Sequence, residues 1–201
     1  DASSKLNFAP QKTMRIAQQL YEGVNIKGQG TVGLITYLRT DSTRISVEAD
    51  AAAKEYIKEA YGAEFVGAGT VAKKDDKKVQ DAHEAIRPTY MTNSPASIKD
   101  ELSRDQFRLY QLIWNRFMAS RMAPAKYENT SVKIAAGDYR FNASASKIAF
   151  DGFLSVYNIN NEKSEGNVML KSIDEDTKLT LNDLEPKQHF TQPPAHYTEA
   201  S

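Results

Sequence analysis

Residues 33–44 read GLITYLRTDSTR, a β-rich run that ends in a tyrosine, an arginine, an aspartate and several hydroxyls. Side chains alternate along a strand, so an extended backbone through residue 41 would place Tyr37, Arg39 and Asp41 on one face. A phenol with an ordinary pKa of about 10 is a weak nucleophile at neutral pH. A neighbouring guanidinium favours the phenolate. It can also grip a phosphate through two hydrogen bonds and offset charge that builds during attack. Asp41 would hold that arginine, and Thr40, Ser42 and Thr43 are donors suited to phosphate oxygens. The set fits phosphodiester chemistry. It also fits a surface tyrosine beside a local Arg–Asp pair, and spacing alone does not separate the two. The chain has ten tyrosines, and only its neighbours single out Tyr37.

A second cluster, QDAHEAIRP at residues 80–88, holds His83, Glu84 and Arg87 within a few positions. Histidine holds or moves a proton near neutral pH, and arginine can hold a phosphate. A short turn closed by Pro88, with His83 making one local bond, accounts for the same residues. No second His or Cys stands at ligand spacing, so the cluster is not a metal signal.

The elements that would carry these residues follow from punctuation and periodicity. DASSKL reads as the tail of a short helix. Pro10 suits a first helical position, and PQKTMRIAQQLYEG places Met14, Ala17, Leu20 and Tyr21 on one side, with Gly23 as a stop. Residues 31–38 are expected as a strand. Ser46 can cap a helix with Glu48 and Asp50 in its first turn, running to about Tyr61 and ending at Gly62. KKDDKK lies in an irregular stretch, and residues 68–80 are expected to be a mobile loop. SRDQ at 103–106 has capping-box form and opens a helix with Phe107, Tyr110, Trp114 and Phe117 on a core-facing stripe. Pro124 marks its end. Beyond it the pattern alternates, DG at 151–152 signals a hairpin, and NVMLKSI and KLTL extend the β character. The expected fold class is α+β: a helical part with a short strand carrying Tyr37, then a β-rich part, divided near residue 123. TQPPAHYTEAS reads as an extended linker.

Composition narrows the classes. The chain has 201 residues, 40% apolar and 26% charged, with no cysteine. That is an ordinary globular composition, without a disulfide framework or a thiolate metal site. No apolar run approaches the roughly 20 residues of a membrane helix. The formal charge is zero, which argues against a simple basic DNA-binding module. The charge is uneven: residues 103–140 lean basic and 160–186 lean acidic, and either stretch can be a solvated face. Beginning at Asp1, the sequence reads as an excerpt from a longer chain.

Together, TYLRTDS and AHEAIRPT resemble the two active-site segments of bacterial DNA topoisomerase I, the type IA class. LYQLIWNRFMASRMAPA, FDGFLSVY and QHFTQPPAHYTEAS resemble the same family in the same order, over essentially the whole chain. The resemblance implies a helical cleavage domain at 1–123, a β-rich arch segment at 124–190 and a linker at 191–201. It puts Tyr37 on the nucleophile that becomes joined to a 5′ phosphate. It puts Arg39 on the arginine at the scissile phosphate. Thr36, Asp41 and Ser42 fall beside them, His83 falls on a DNA-supporting histidine, and Glu84 and Arg87 share its motif. It further implies an ATP-independent isomerase, monomeric and cytoplasmic, acting on single-stranded and negatively supercoiled DNA. Mg²⁺ would be held by a separate TOPRIM domain, with no metal ligands in this segment. The competing expectation is a non-catalytic helical DNA-binding module with a β-rich partner domain.

Overall fold

In the computed structural model, residues 1–40, 42–68, 83–157, 177–194 and 196–200 are described. Asp41 and most of the expected mobile loop at 68–80 lie outside them, as do NVMLKSI and most of the acidic stretch. Helix α1 spans Ala2–Leu6 and α2 spans Pro10–Glu22, with Pro10 in the first turn and Gly23 closing the helix at φ 125°. A small antiparallel hairpin follows, β1 (Val24–Ile26) with β2 (Gly30–Val32), pairing Val24 with Val32. Helix α3 spans Val47–Ala60, and the Ser46 side chain accepts from the Ala49 amide. Helix α4 spans Arg104–Arg121 and carries the full capping box: Ser103 accepts from the Gln106 amide, and the Gln106 side chain accepts from the Ser103 amide.

The core forms where α2, α3 and α4 meet residues 34–35. Leu20, Leu34, Ile35, Ile57, Tyr110 and Met118 are sealed from solvent, with Trp114 and Phe117 beside them. Tyr56 meets Trp114 edge-on, at 5.5 Å between ring centroids. The aromatic stripe of α4 is therefore core, with Phe107 at its partly buried outer end. Helix α2 is rotated from the expected stripe. Ile16, Ala17 and Leu20 face inward, and Met14 is exposed. Tyr110 donates to the Asn93 carbonyl at 2.6 Å, and the Asn93 side chain exchanges hydrogen bonds with Gln29 in the β1–β2 turn. A buried loop amide is thus satisfied rather than stranded.

Strand formation over 31–38 is corrected. Pairing stops at Val32, and beyond it only a single bridge, Ile35 to Pro88, has β character. After Val32 the backbone partners lie elsewhere: the Leu34 amide donates to the Leu20 carbonyl of α2, and the Thr36 amide donates to the Arg87 carbonyl.

After α4 the chain changes character as expected. Strands β3 (Lys126–Ala136) and β4 (Tyr139–Phe150) form one long antiparallel hairpin. Its turn is Gly137–Asp138, with Gly137 at φ 60°, the conformation that a two-residue turn asks of its first central residue. The DG at 151–152 is not the hairpin turn. Phe150 pairs with Lys126, so Asp151 sits at the open end, and residues Gly152–Ser155 form a 3₁₀ turn. KLTL is not a strand either. It has strand-like alternation, but among the described residues no partner edge adjoins it, and Leu179 and Leu181 are exposed.

The root of the hairpin is fastened to the helical part. Residues 65–67 pair with 121–123 through Gly67 N–Arg121 O and Ala123 N–Phe65 O bonds of 2.9 and 2.8 Å. Phe65 packs on Phe150 at 4.7 Å, the Phe153 amide donates to the Ala123 carbonyl, and the Tyr157 hydroxyl donates to Asp1. The basic stretch 103–140 is partly structural. Arg121 is buried on Asp50, Arg108 donates to the Leu6 carbonyl, and Arg116 lies over the Tyr157 ring.

Candidate active site

The segment carrying Tyr37 is held from two sides. Below it, Gly33 lies on the last turn of α2. A Cβ at Gly33 would stand 2.7 Å from the Tyr21 carbonyl oxygen, so only glycine lets the chain approach this closely. Above it runs the AHEAIRPT stretch. Thr89 donates through its amide to Leu34 and through its hydroxyl to Gly33. The Thr36 hydroxyl donates to the Ala85 carbonyl at 2.7 Å and accepts from the Arg87 amide at 2.9 Å. The two segments picked out in the sequence therefore run antiparallel and are laced together.

That lacing fixes which side chains face out. Leu34 and Ile35 go to the core, and Leu38 packs against it. Tyr37 is 50% exposed, and Arg39 is also exposed. The in–out alternation across Tyr37, Leu38 and Arg39 survives, although residues 36–40 form no strand. The His83 ring stands 5.8 Å from the Tyr37 ring, tilted by 33°. Tyr21 also meets Tyr37, at 5.4 Å and 61°, an edge contact. His83 Nδ1 is buried, and no described residue hydrogen-bonds it.

Glu84 and Arg87 pair with each other, Arg87 Nε and Nη2 donating to one Glu84 oxygen at 2.9 and 2.5 Å. Arg87 Nη1 also donates to the Pro88 carbonyl. Both side chains are largely covered, and Arg87 thereby stiffens the turn that presents His83. The Ser42 hydroxyl accepts from the Arg44 amide, a local turn ahead of α3, and the Arg44 carbonyl accepts from Ala85. Thr36, Tyr37, His83, Glu84 and Arg87 thus lie together, and Asp41 is outside the described residues. Tyr21, Gly33 and Thr89 belong to the same assembly and were not singled out in the sequence. Tyr21 was expected as one member of an apolar stripe, and nothing local distinguished its ring from core. Among the described residues no group of three His, Cys, Asp or Glu side chains could hold a metal. The described residues around Tyr37 do not fit a metal centre.

The DNA topoisomerase family profile matches residues 1–201. The full-length topoisomerase I of Thermotoga maritima is 45% identical and superposes with a TM-score of 0.67, over 79% of this chain and 25% of that one. The chain belongs to the DNA topoisomerase family, as a segment of the bacterial type IA kind. It spans about a quarter of the length of that relative. No helix among the described residues is long and apolar enough to cross a membrane.

Proposed function

We propose that Tyr37 is the nucleophile of a type IA DNA topoisomerase and that this chain supplies the tyrosine-bearing half of its active site. The observation that carries the reading is a half-exposed phenol on a backbone fastened from both sides, flanked by His83, in a chain of this family. The phenol oxygen would attack a backbone phosphorus of single-stranded DNA, forming a Tyr37 O–P bond and breaking the P–O3′ bond. The 5′ phosphate stays on the protein, the 3′ oxygen leaves and takes up a proton, and the phenol gives one up. Reversal reseals the strand. The phosphoester energy is kept, so no ATP is needed. Between cleavage and resealing, passage of the other strand would relax negatively supercoiled DNA.

Arg39 is assigned to the scissile phosphate, where a planar fork can bind two oxygens. Ser42 and Asp41 are assigned supporting places beside it. Thr36, Glu84 and Arg87 position the tyrosine and His83, which lies where it can meet the DNA. Residues 1–123 would form the moving cleavage domain, 124–190 part of the arch and 191–201 a linker, the first division agreeing with the end of α4 at Arg121. Mg²⁺, which the family uses, would be held by residues elsewhere in the full enzyme. We assign that enzyme as a cytoplasmic, nucleoid-associated monomer.

The test is Tyr37→Phe in the full-length enzyme, incubated with labelled single-stranded DNA and Mg²⁺ and then denatured. The covalent band should vanish while DNA binding persists. A band that survives would overturn the assignment, because another residue would then be the one joined to the DNA.

A further inference from the structure

On the reading that Tyr37 is the nucleophile, we propose that Tyr21, at the end of α2, is a positioning residue that holds the Tyr37 ring in its attacking orientation. The argument starts from the backbone. Residues 36–40 form no strand, so no ladder of hydrogen bonds fixes the direction of the Tyr37 side chain. Its ring is half exposed and would otherwise sample several staggered orientations. Two rings contact it. His83 stands at 5.8 Å, and Tyr21 stands at 5.4 Å and 61°, within the edge-to-face range that aromatic pairs favour.

Tyr21 is well placed for this work because it is registered to the same segment. It lies in the last turn of α2, whose Leu20 carbonyl accepts the Leu34 amide at 2.8 Å. Its own carbonyl touches Gly33, four residues before the nucleophile. Helix, glycine and tyrosine segment are therefore held in register, which keeps the Tyr21 ring beside Tyr37. Tyr21 is itself partly exposed, so its ring is spent on this contact rather than on filling the core. Its role is carried by the flat ring and not by its hydroxyl.

The experiment is single-turnover cleavage of single-stranded DNA by the full-length enzyme carrying Tyr21→Ala, Tyr21→Leu or Tyr21→Phe. Tyr21→Ala and Tyr21→Leu should slow cleavage at saturating DNA by about 10- to 100-fold, the scale of a small misplacement of a reacting group. DNA affinity should not change, and Tyr21→Phe should restore the rate. Ring resonances of Tyr37 should shift in the Ala and Leu variants and return in Phe. Wild-type cleavage by either the Ala or the Leu variant, or slowing in Phe equal to that in Ala, overturns the proposal. Tyr21→Leu keeps a large apolar side chain without the flat ring, so a rate loss shared with Ala and cured by Phe points to the ring. Tyr37→Phe is run beside them: if it still forms an adduct, the nucleophile assignment fails, a result separate from failure of Tyr21.

Discussion

Thr36 and Arg87 bond each other across 51 residues of sequence: the Thr36 amide donates to the Arg87 carbonyl at 2.9 Å, and the Arg87 amide donates to the Thr36 hydroxyl at 2.9 Å. The residue before the candidate nucleophile is thus tied to the segment that carries His83. Thr36→Val keeps the shape but removes the hydroxyl. It leaves the Arg87 amide and Ala85 carbonyl short of a partner, at a cost of about 1–3 kcal/mol. The melting temperature should fall by about 2–4 °C per kcal/mol for a domain of this size. Unchanged melting would show that this tie is dispensable.

Gly33→Ala should be more damaging than its size suggests. The new methyl would meet the Tyr21 carbonyl oxygen, a backbone atom that cannot rotate away. The chain would have to lift off α2 and lengthen the Leu34–Leu20 hydrogen bond. Overpacking of this sort costs about 1–3 kcal/mol. DNA cleavage by the full-length variant should fall together with stability, and denaturant titration beside a cleavage assay checks both.

Asp50 connects α3 to α4, and its titration gives a pH dependence. Burial opposes its ionisation, but hydrogen bonds from Lys54 and Arg121 outweigh that and hold the carboxyl below its ordinary 3.8. The folded-state pKa is depressed, so this contribution to stability is fully present above the unfolded value and is lost as the pH falls through the folded one. Stability should therefore drop below about pH 4, and less steeply in Asp50→Asn. Arg121 keeps only 7% of its side chain exposed. Asp50→Ala would take a carboxylate away from that largely buried guanidinium at a cost of up to about 3–5 kcal/mol, and Arg121→Met should cost less. Equal losses in the two variants would refute this ranking.

Arg39→Lys retains the charge but not the planar fork. If the guanidinium acts on the scissile phosphate, cleavage by the full-length variant should lose about 2–4 kcal/mol of transition-state stabilisation, by analogy with a lost oxyanion donor. Relaxation at the wild-type rate would remove Arg39 from the reaction.

The 201-residue chain alone should form no covalent adduct with single-stranded DNA, even with Mg²⁺, and should bind DNA weakly with a strong salt dependence. Its formal charge is zero, and Arg121 of its basic stretch is turned inward. Binding in the range of non-specific association, micromolar or weaker, is expected. A Tyr37-dependent band on a denaturing gel would show that half a site suffices.

Local signals carried the helices. Ser46 and the SRDQ box are caps in the sequence and caps in the fold, because capping is a bond within a single turn. The long hairpin was legible as alternation, but its turn was not. DG was the stronger dipeptide, yet pairing across the strands made Gly137–Asp138 the tip. Residues 33–36 were misread as strand because their backbone partners are Leu20, Arg87 and Thr89, which no local window contains. At the site, Tyr37 and His83 were legible as types, but their contact depends on that same long-range lacing. Tyr21 was hidden for a simpler reason: a tyrosine on an apolar helical stripe looks the same whether it meets the core or another ring.

The hairpin β3–β4 has a mechanical consequence. Its strands are fixed at one end by Phe150 on Phe65 and by the Phe153–Ala123 bond, and most of their length is exposed. Eleven residues at roughly 3.3 Å each make an arm about 35 Å long. A pivot of about 10° at that root would sweep the Gly137 tip through about 6 Å, taking the same rise per residue. Since Phe65 follows α3 and Ala123 follows α4, a slight shear between the two helices would be geared up into a larger stroke at the far end. Stiffness of that root would then set how far the tip can travel.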